Sequence, residues 1–138
     1  MRIMAIDPGD KRIGVAISDP TCTIASPLTV VQHVSRAIDA ATLADLAQHN
    51  QVSLIVIGKA LDEEGLPTPA SRKVDRLADA LHGQCDIPVE MWDESFSTQS
   101  ARQAQIEMGT TRQKRAGHLD HLAAVVILQS YLDARENR

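Results

Sequence analysis

Two apolar runs and the residues between them constrain this chain most. Ile3-Met4-Ala5-Ile6 begins like a buried strand, then breaks at Asp7-Pro8-Gly9; a second run opens at Ile13 and continues through Gly14-Val15-Ala16-Ile17. The intervening Asp-Pro-Gly-Asp-Lys has its proline and glycine in hairpin order, so residues 2–7 and 12–18 are predicted to pair antiparallel. That pairing leaves an aspartate at the lip of what reads as the centre of a sheet.

The rest of the chain extends the sheet. A third extended stretch is expected over 25–31, and the Ala- and Leu-rich residues 36–49 read as a helix. Residues 52–58, Val-Ser-Leu-Ile-Val-Ile-Gly, have the form of a parallel strand buried on both faces. Residues 59–69 read as a loop. Val74, Leu77, Ala78 and Leu81 recur at helical spacing, with Gly83 as a stop. Residues 87–94 are predicted as the last strand. Ser97 is predicted to cap a helix reaching about Met108, 109–117 to form a polar, basic loop, and 118–135 the final helix. Short turns give antiparallel pairs and strand–helix–strand units give parallel ones. The expected fold is therefore α/β: a mixed five-stranded sheet, three antiparallel strands and then parallel strands, with helices packed on it. No linker composition divides the chain, so 1–138 is expected to be a single domain. Ligands of such sheets bind beyond the carboxyl ends of the parallel strands.

Composition narrows the function. The 138 residues carry a net charge of -4, with 18 acids against 14 Lys and Arg, which argues against a purely electrostatic nucleic-acid binder. A nuclease stays open, because two divalent cations would add roughly +4. The aromatics are Trp92, Phe96 and Tyr131 alone, too few for a base-stacking platform. Cys22 and Cys85 form no CxxC pair, which suggests a reduced, cytoplasmic setting. The apolar start breaks at Asp7-Pro8, too early for a signal-peptide core. No run reaches the roughly 18 apolar residues of a membrane span, so no membrane partner is expected.

The acids stand where strands and a helix begin or end. Asp7 closes the first strand, Asp93 and Glu94 the last, and Asp120 lies in the first turn of the final helix. Each has a plain structural account alone: a turn cap, a solvated strand end, a favourable charge at a helix N-terminus. Together, if the helix crosses the sheet near those strand ends, they converge. Two unit charges at about 4 Å repel by about 4 kcal/mol at an effective dielectric of 20, so the cluster must take up protons or cations. Oxygen donors without cysteine point to Mg²⁺ or Mn²⁺ rather than zinc. His118 and His121 flank Asp120 and read as surface residues. Lys11 with Arg12, Arg72-Lys73 with Arg76, and Arg112 with Lys114-Arg115 are small basic clusters. Such clusters are either solvated faces or grips for phosphate.

Four segments, Asp-Pro-Gly-Asp-Lys-Arg-Ile-Gly-Val-Ala-Ile-Ser (7–18), Ile-Gly-Lys-Ala-Leu-Asp-Glu-Glu-Gly (57–65), Asp-Glu-Ser-Phe-Ser-Thr (93–98) and Leu-Asp-His-Leu-Ala-Ala-Val-Val-Ile-Leu-Gln-Ser-Tyr-Leu (119–132), resemble the YqgF family in order and spacing. These are Holliday-junction-resolvase-like proteins described as nucleases that process the precursor of 16S ribosomal RNA. The resemblance covers nearly the whole chain and implies a ribonuclease-H-like fold. It implies catalytic, metal-binding acids at Asp7, Glu94 and Asp120, with Asp93 beside the second. It places a basic, nucleic-acid-binding residue at Arg12, and others at Lys114 and Arg115 in the loop before the last acid.

Two departures stand out. Ser95 replaces the arginine usual after the Asp-Glu pair, and Gly58-Lys59-Ala60 replaces the usual Gly-Leu-Pro. The function implied is metal-dependent hydrolysis of phosphodiesters, with RNA favoured as partner over branched DNA. One alternative is a junction resolvase, whose two coordinated cuts call for a homodimer. Another is a catalytically silent nucleic-acid-binding or protein-binding module. An actin-like ATPase needs two such domains around its nucleotide, and one is expected here.

Overall fold

The computed structural model describes residues 1–61, 64–93 and 119–136, the first three residues of the last segment by backbone only. Its elements are β1 (Arg2–Pro8), β2 (Arg12–Ser18), β3 (Ala25–Gln32), α1 (Arg36–His49), β4 (Val52–Lys59), α2 (Pro69–His82), β5 (Val89–Asp93) and α3 (Leu119–Glu136). They match the sequence-based segments to within a residue or two. β5 starts later than expected because Pro88 has no N–H to enter the ladder; its carbonyl still accepts from Ile55 N at 2.9 Å. The helix expected over 97–108 and the loop over 109–117 lie outside the described residues.

Among the described residues the sheet has five strands in the order β3-β2-β1-β4-β5. β2 pairs antiparallel with β1 and β3, while β1–β4 and β4–β5 are parallel. This is the mixed sheet expected of the hairpins and crossovers. β3 is an outer strand, where Pro27 is tolerated beside a register shift.

Period-two alternation divides the sheet between two cores. Met4 and Ile6 of β1, Ile13, Val15 and Ile17 of β2, and Ile55 and Ile57 of β4 pack with α1 and α2. Ile3, Ala5, Ala16 and Val56 pack on the other face, against Ala124, Ile127, Leu128, Tyr131 and Leu132 of α3. β1 and β4 are thus covered on both sides, as their unbroken apolar sequences require.

The helix starts are set by local polar chemistry. Ser35 caps α1, its Oγ accepting from Ile38 N at 3.3 Å. Thr68 and Ser71 form a reciprocal capping box on α2 at 3.1 and 2.8 Å, with Pro69 in the first turn. α3 is tied down at its other end. The Gln129 side chain accepts from Ala25 N and donates to Thr23 O, both at 3.0 Å. Trp92 donates to Ser130 Oγ at 3.1 Å and meets Tyr131 edge-on, with ring centroids 5.3 Å apart. No helix of the described residues is long and apolar enough to cross a membrane.

Ser18 is 2 % exposed. Its Oγ accepts from Ile3 N at 2.9 Å and donates to Asp19 O at 3.0 Å, locking the end of β2 to the start of β1. Ser18→Ala leaves a buried N–H without its acceptor, so denaturant unfolding should show a loss of about 1–3 kcal/mol. A change below a few tenths would mean that the backbone finds another partner. In the turn that follows, the Asp19 carboxylate accepts from Ile24 N at 2.9 Å, from Thr21 Oγ1, and from Thr23 N at 2.8 Å. These bonds, that of Ile24 first, hold its pKa well below the usual carboxylate range. A depressed pKa contributes stability above the unfolded-state value, lost as pH falls below it. A carboxyl-carbon NMR titration should find Asp19 still ionised where exposed aspartates have titrated; an ordinary midpoint would remove this account.

Candidate active site

Asp7 sits one residue before the end of β1, half-buried, at the carboxyl edge of the parallel strands. It shares odd parity with Ile3 and Ala5, which face α3, so alternation puts it on the α3 face. Its antiparallel partner is Gly14. On the other side Gly58 follows Ile57, the partner of Ile6. The aspartate therefore stands between two strand positions without side chains. Arg12, exposed at the start of β2, has the parity of Gly14 and Ala16 and belongs to the same face.

The turn joining β1 to β2 is tight. Gly9 N donates to Arg12 O at 2.9 Å. A Cβ at Gly9 would stand 2.6 Å from that same oxygen, closer than two such atoms can approach.

Of the two acids expected to end the last strand, Asp93 closes β5. Val89 and Met91 pack toward α1 and α2, and Trp92 toward α3. Asp93, with the parity of Val89 and Met91, falls on the face opposite Asp7. Glu94 lies outside the described residues, as do Ser95, Lys114, Arg115 and His118. Asp120 and His121 are described by backbone alone, in the first turn of α3.

Lys59 also belongs to the far face. It pairs with Asp75 of α2 at 3.0 Å and is the register partner of Asp93. Of the departure at 58–60, the glycine lies beside Asp7 and the lysine serves the packing of α2. Sequence reading passed over one further pair, His33 and Asp39. Asp39 is buried in the first turn of α1, and its carboxylate bonds His33 Nδ1 and accepts from Val34 N at 3.0 Å. The signal was a helix cap at Ser35 followed four residues later by an acid.

A family model described as "RuvX: Holliday junction resolvase" matches residues 1–134. The chain belongs to this family. It is 40% identical over 139 residues, the full length of both proteins, to a Thermoanaerobacter pseudethanolicus protein named "Putative pre-16S rRNA nuclease". A Syntrophomonas wolfei protein of the same name is 40% identical, over 96% of this chain and 94% of its own. Among solved structures, Thermus thermophilus RuvC in complex with a Holliday junction substrate superposes with a TM-score of 0.68 at 18% identity, covering 99% and 96% of the two chains. The fowlpox virus resolvase with its junction DNA gives 0.60 at 14%, covering 98% and 99%. These neighbours bear out the ribonuclease-H-like fold expected of the chain.

Gly9→Ala should cost about 1–3 kcal/mol in denaturant unfolding, because the hairpin beside Asp7 must open to admit the methyl. Unchanged stability would mean that the turn yields freely and does not hold Asp7 in place.

Proposed function

We propose that this chain is a divalent-metal-dependent nuclease that hydrolyses phosphodiester bonds in RNA, with the precursor of 16S ribosomal RNA as substrate and the cytoplasm as its place of action. The observation that carries this is the position of Asp7. It is a half-buried carboxylate at the carboxyl edge of the parallel strands, flanked by Gly14 and Gly58. Full-length identity to relatives with that nuclease name supports the substrate.

Asp7, Glu94 and Asp120 are proposed as the metal-binding, catalytic acids. Gln129 is held at the amino edge of the sheet, where Ala25 pairs with Ser18 and Ser18 bonds Ile3. From Gln129 back to Asp120 the helix rises about 13 Å, and β1 rises about 13 Å from Ile3 to Asp7. The match favours Asp120 meeting the edge at which Asp7 stands. Glu94 enters because its neighbour Asp93 falls on the wrong face. The three together offer carboxylate oxygens, a donor set that suits Mg²⁺ or Mn²⁺. Among the described residues no group of three potential ligands could hold an ion, since Asp7 is the one proposed ligand whose side chain is described. A bound pair of such ions would supply Lewis-acid stabilisation of the attacking and leaving oxygens of the phosphodiester. The chain's own part is to hold that charge at an open edge. Arg12, Lys114 and Arg115 would position the backbone without reading sequence.

The second reading, which follows the words of the family's description, is cleavage of branched DNA. It requires a homodimer, so a strictly monomeric mass in solution would count against it.

The test is cleavage of end-labelled single-stranded RNA beside a four-way DNA junction, in Mg²⁺, Mn²⁺ or EDTA. Wild type should cut RNA with metal, leaving 5′-phosphate and 3′-hydroxyl ends. Asp7→Asn should cut at least about a hundredfold more slowly. A 2′,3′-cyclic phosphate product would sink the mechanism. Cutting of the junction alone would move the chain to the resolvase reading. RNA binding without any cutting, unchanged by EDTA or the substitution, would leave a silent binding module.

A further inference from the structure

On the other side of the β1–β2 turn from Asp7 lies a cavity of about 570 Å³, walled by the starts of α1 and α2. That is within the usual size of ligand sites. Pro8 and Gly9, the two residues after Asp7, form part of its lining, and so does Asp10. Asp10 is at most about 11 Å from Asp7 along the backbone. The cavity and the candidate active site thus share one turn.

The lining is positive on a chain that is negative overall. Arg36, Lys73, Arg76 and His33 all contribute to it. No carboxylate of the described residues pairs with Arg36 or Arg76. Lys73 has Asp10 at 3.8 Å, both side chains largely exposed, a pair that contributes little. The remaining acid, Asp39, is 3 % exposed and already committed to His33 and Val34 N. Its bond to Nδ1 fixes the His33 ring and leaves Nε2 as the ring's other polar atom. The cavity's apolar lining comes from residues such as Ile13, Val74 and Leu77, and no Phe, Tyr or Trp lines it. The cations suit phosphate oxygens.

We infer that this cavity is a second phosphate-binding site. It grips the backbone of the same nucleic-acid strand after that strand passes over the β1–β2 turn, with Arg36, Lys73 and Arg76 as its charges and His33 as a ring held in place by Asp39. The inference deepens the nuclease reading and rests on it for the identity of the strand. It also gives a role to Lys73 and Arg76 of the basic cluster on α2, on the face opposite Asp7.

The test is binding of a short labelled single-stranded RNA by the metal-free protein in EDTA, across a salt series. Each lost phosphate contact lowers the slope of log affinity against log salt by about 0.7 for single strands. Arg36→Gln with Arg76→Gln should lower it by about 1.4, and adding Lys73→Gln should lower it further. Arg72→Gln with Arg135→Gln, which removes two exposed charges outside the cavity, should change it less. Circular dichroism and the unfolding midpoint check that the variants fold; Arg36 and Arg76 are exposed, so they should. A slope unchanged, or changed no more than in the control pair, overturns the inference, as does absence of RNA binding. Cleavage is read separately. Normal cutting with an unchanged slope removes the cavity site alone. A lowered slope in a protein that never cuts keeps the site and removes the nuclease reading.

Discussion

Burial of β1 and β4 on both faces governs the rest of this structure. Strands covered by helices on each side can carry almost nothing but apolar residues along their length. A carboxylate in mid-strand would be stripped of water with nothing to balance it. Polar chemistry is therefore confined to the strand ends. Parallel pairing of β1, β4 and β5 gathers their carboxyl ends along one edge, and Asp7 stands there at the first point where solvent is within reach.

The two faces then take different tasks. On the α3 face, Asp7 lies between Gly14 and Gly58, with Arg12 near the end of the same hairpin. On the α1/α2 face, Lys59 ties β4 to Asp75 of α2, and the cavity collects Arg36, Lys73 and Arg76. The hairpin turn is the boundary between them. Its close contact of Gly9 with the Arg12 carbonyl makes that boundary short, so a strand lying over Asp7 would have little distance to cover before the second face begins.

Much of this was legible in the residues. The apolar runs, the Pro-Gly turn and the helical spacing of Val74, Leu77 and Leu81 gave strands and helices close to those observed, because each depends on neighbours in sequence. Asp7 stood out for the same reason: it ends an apolar run. The face of Asp93 could not be read, because it depends on parity relative to a helix packed from elsewhere. Lys59 follows Gly58 directly in sequence, and its contact with Asp75 assigned it to the other face. His33 and Asp39 carried almost no signal, since the pair closes across the connection between β3 and α1.

The sequence by itself determined the order of the elements, the mixed sheet and the acid at the end of its first strand, because periodicity and turn chemistry act over a few residues. The tertiary structure alone decided which face each of those residues serves, and that the separate cations Arg36 and Lys73 line one cavity. Those outcomes depend on how α1, α2 and α3 pack across strands that are distant in the chain. No local pattern encodes that packing.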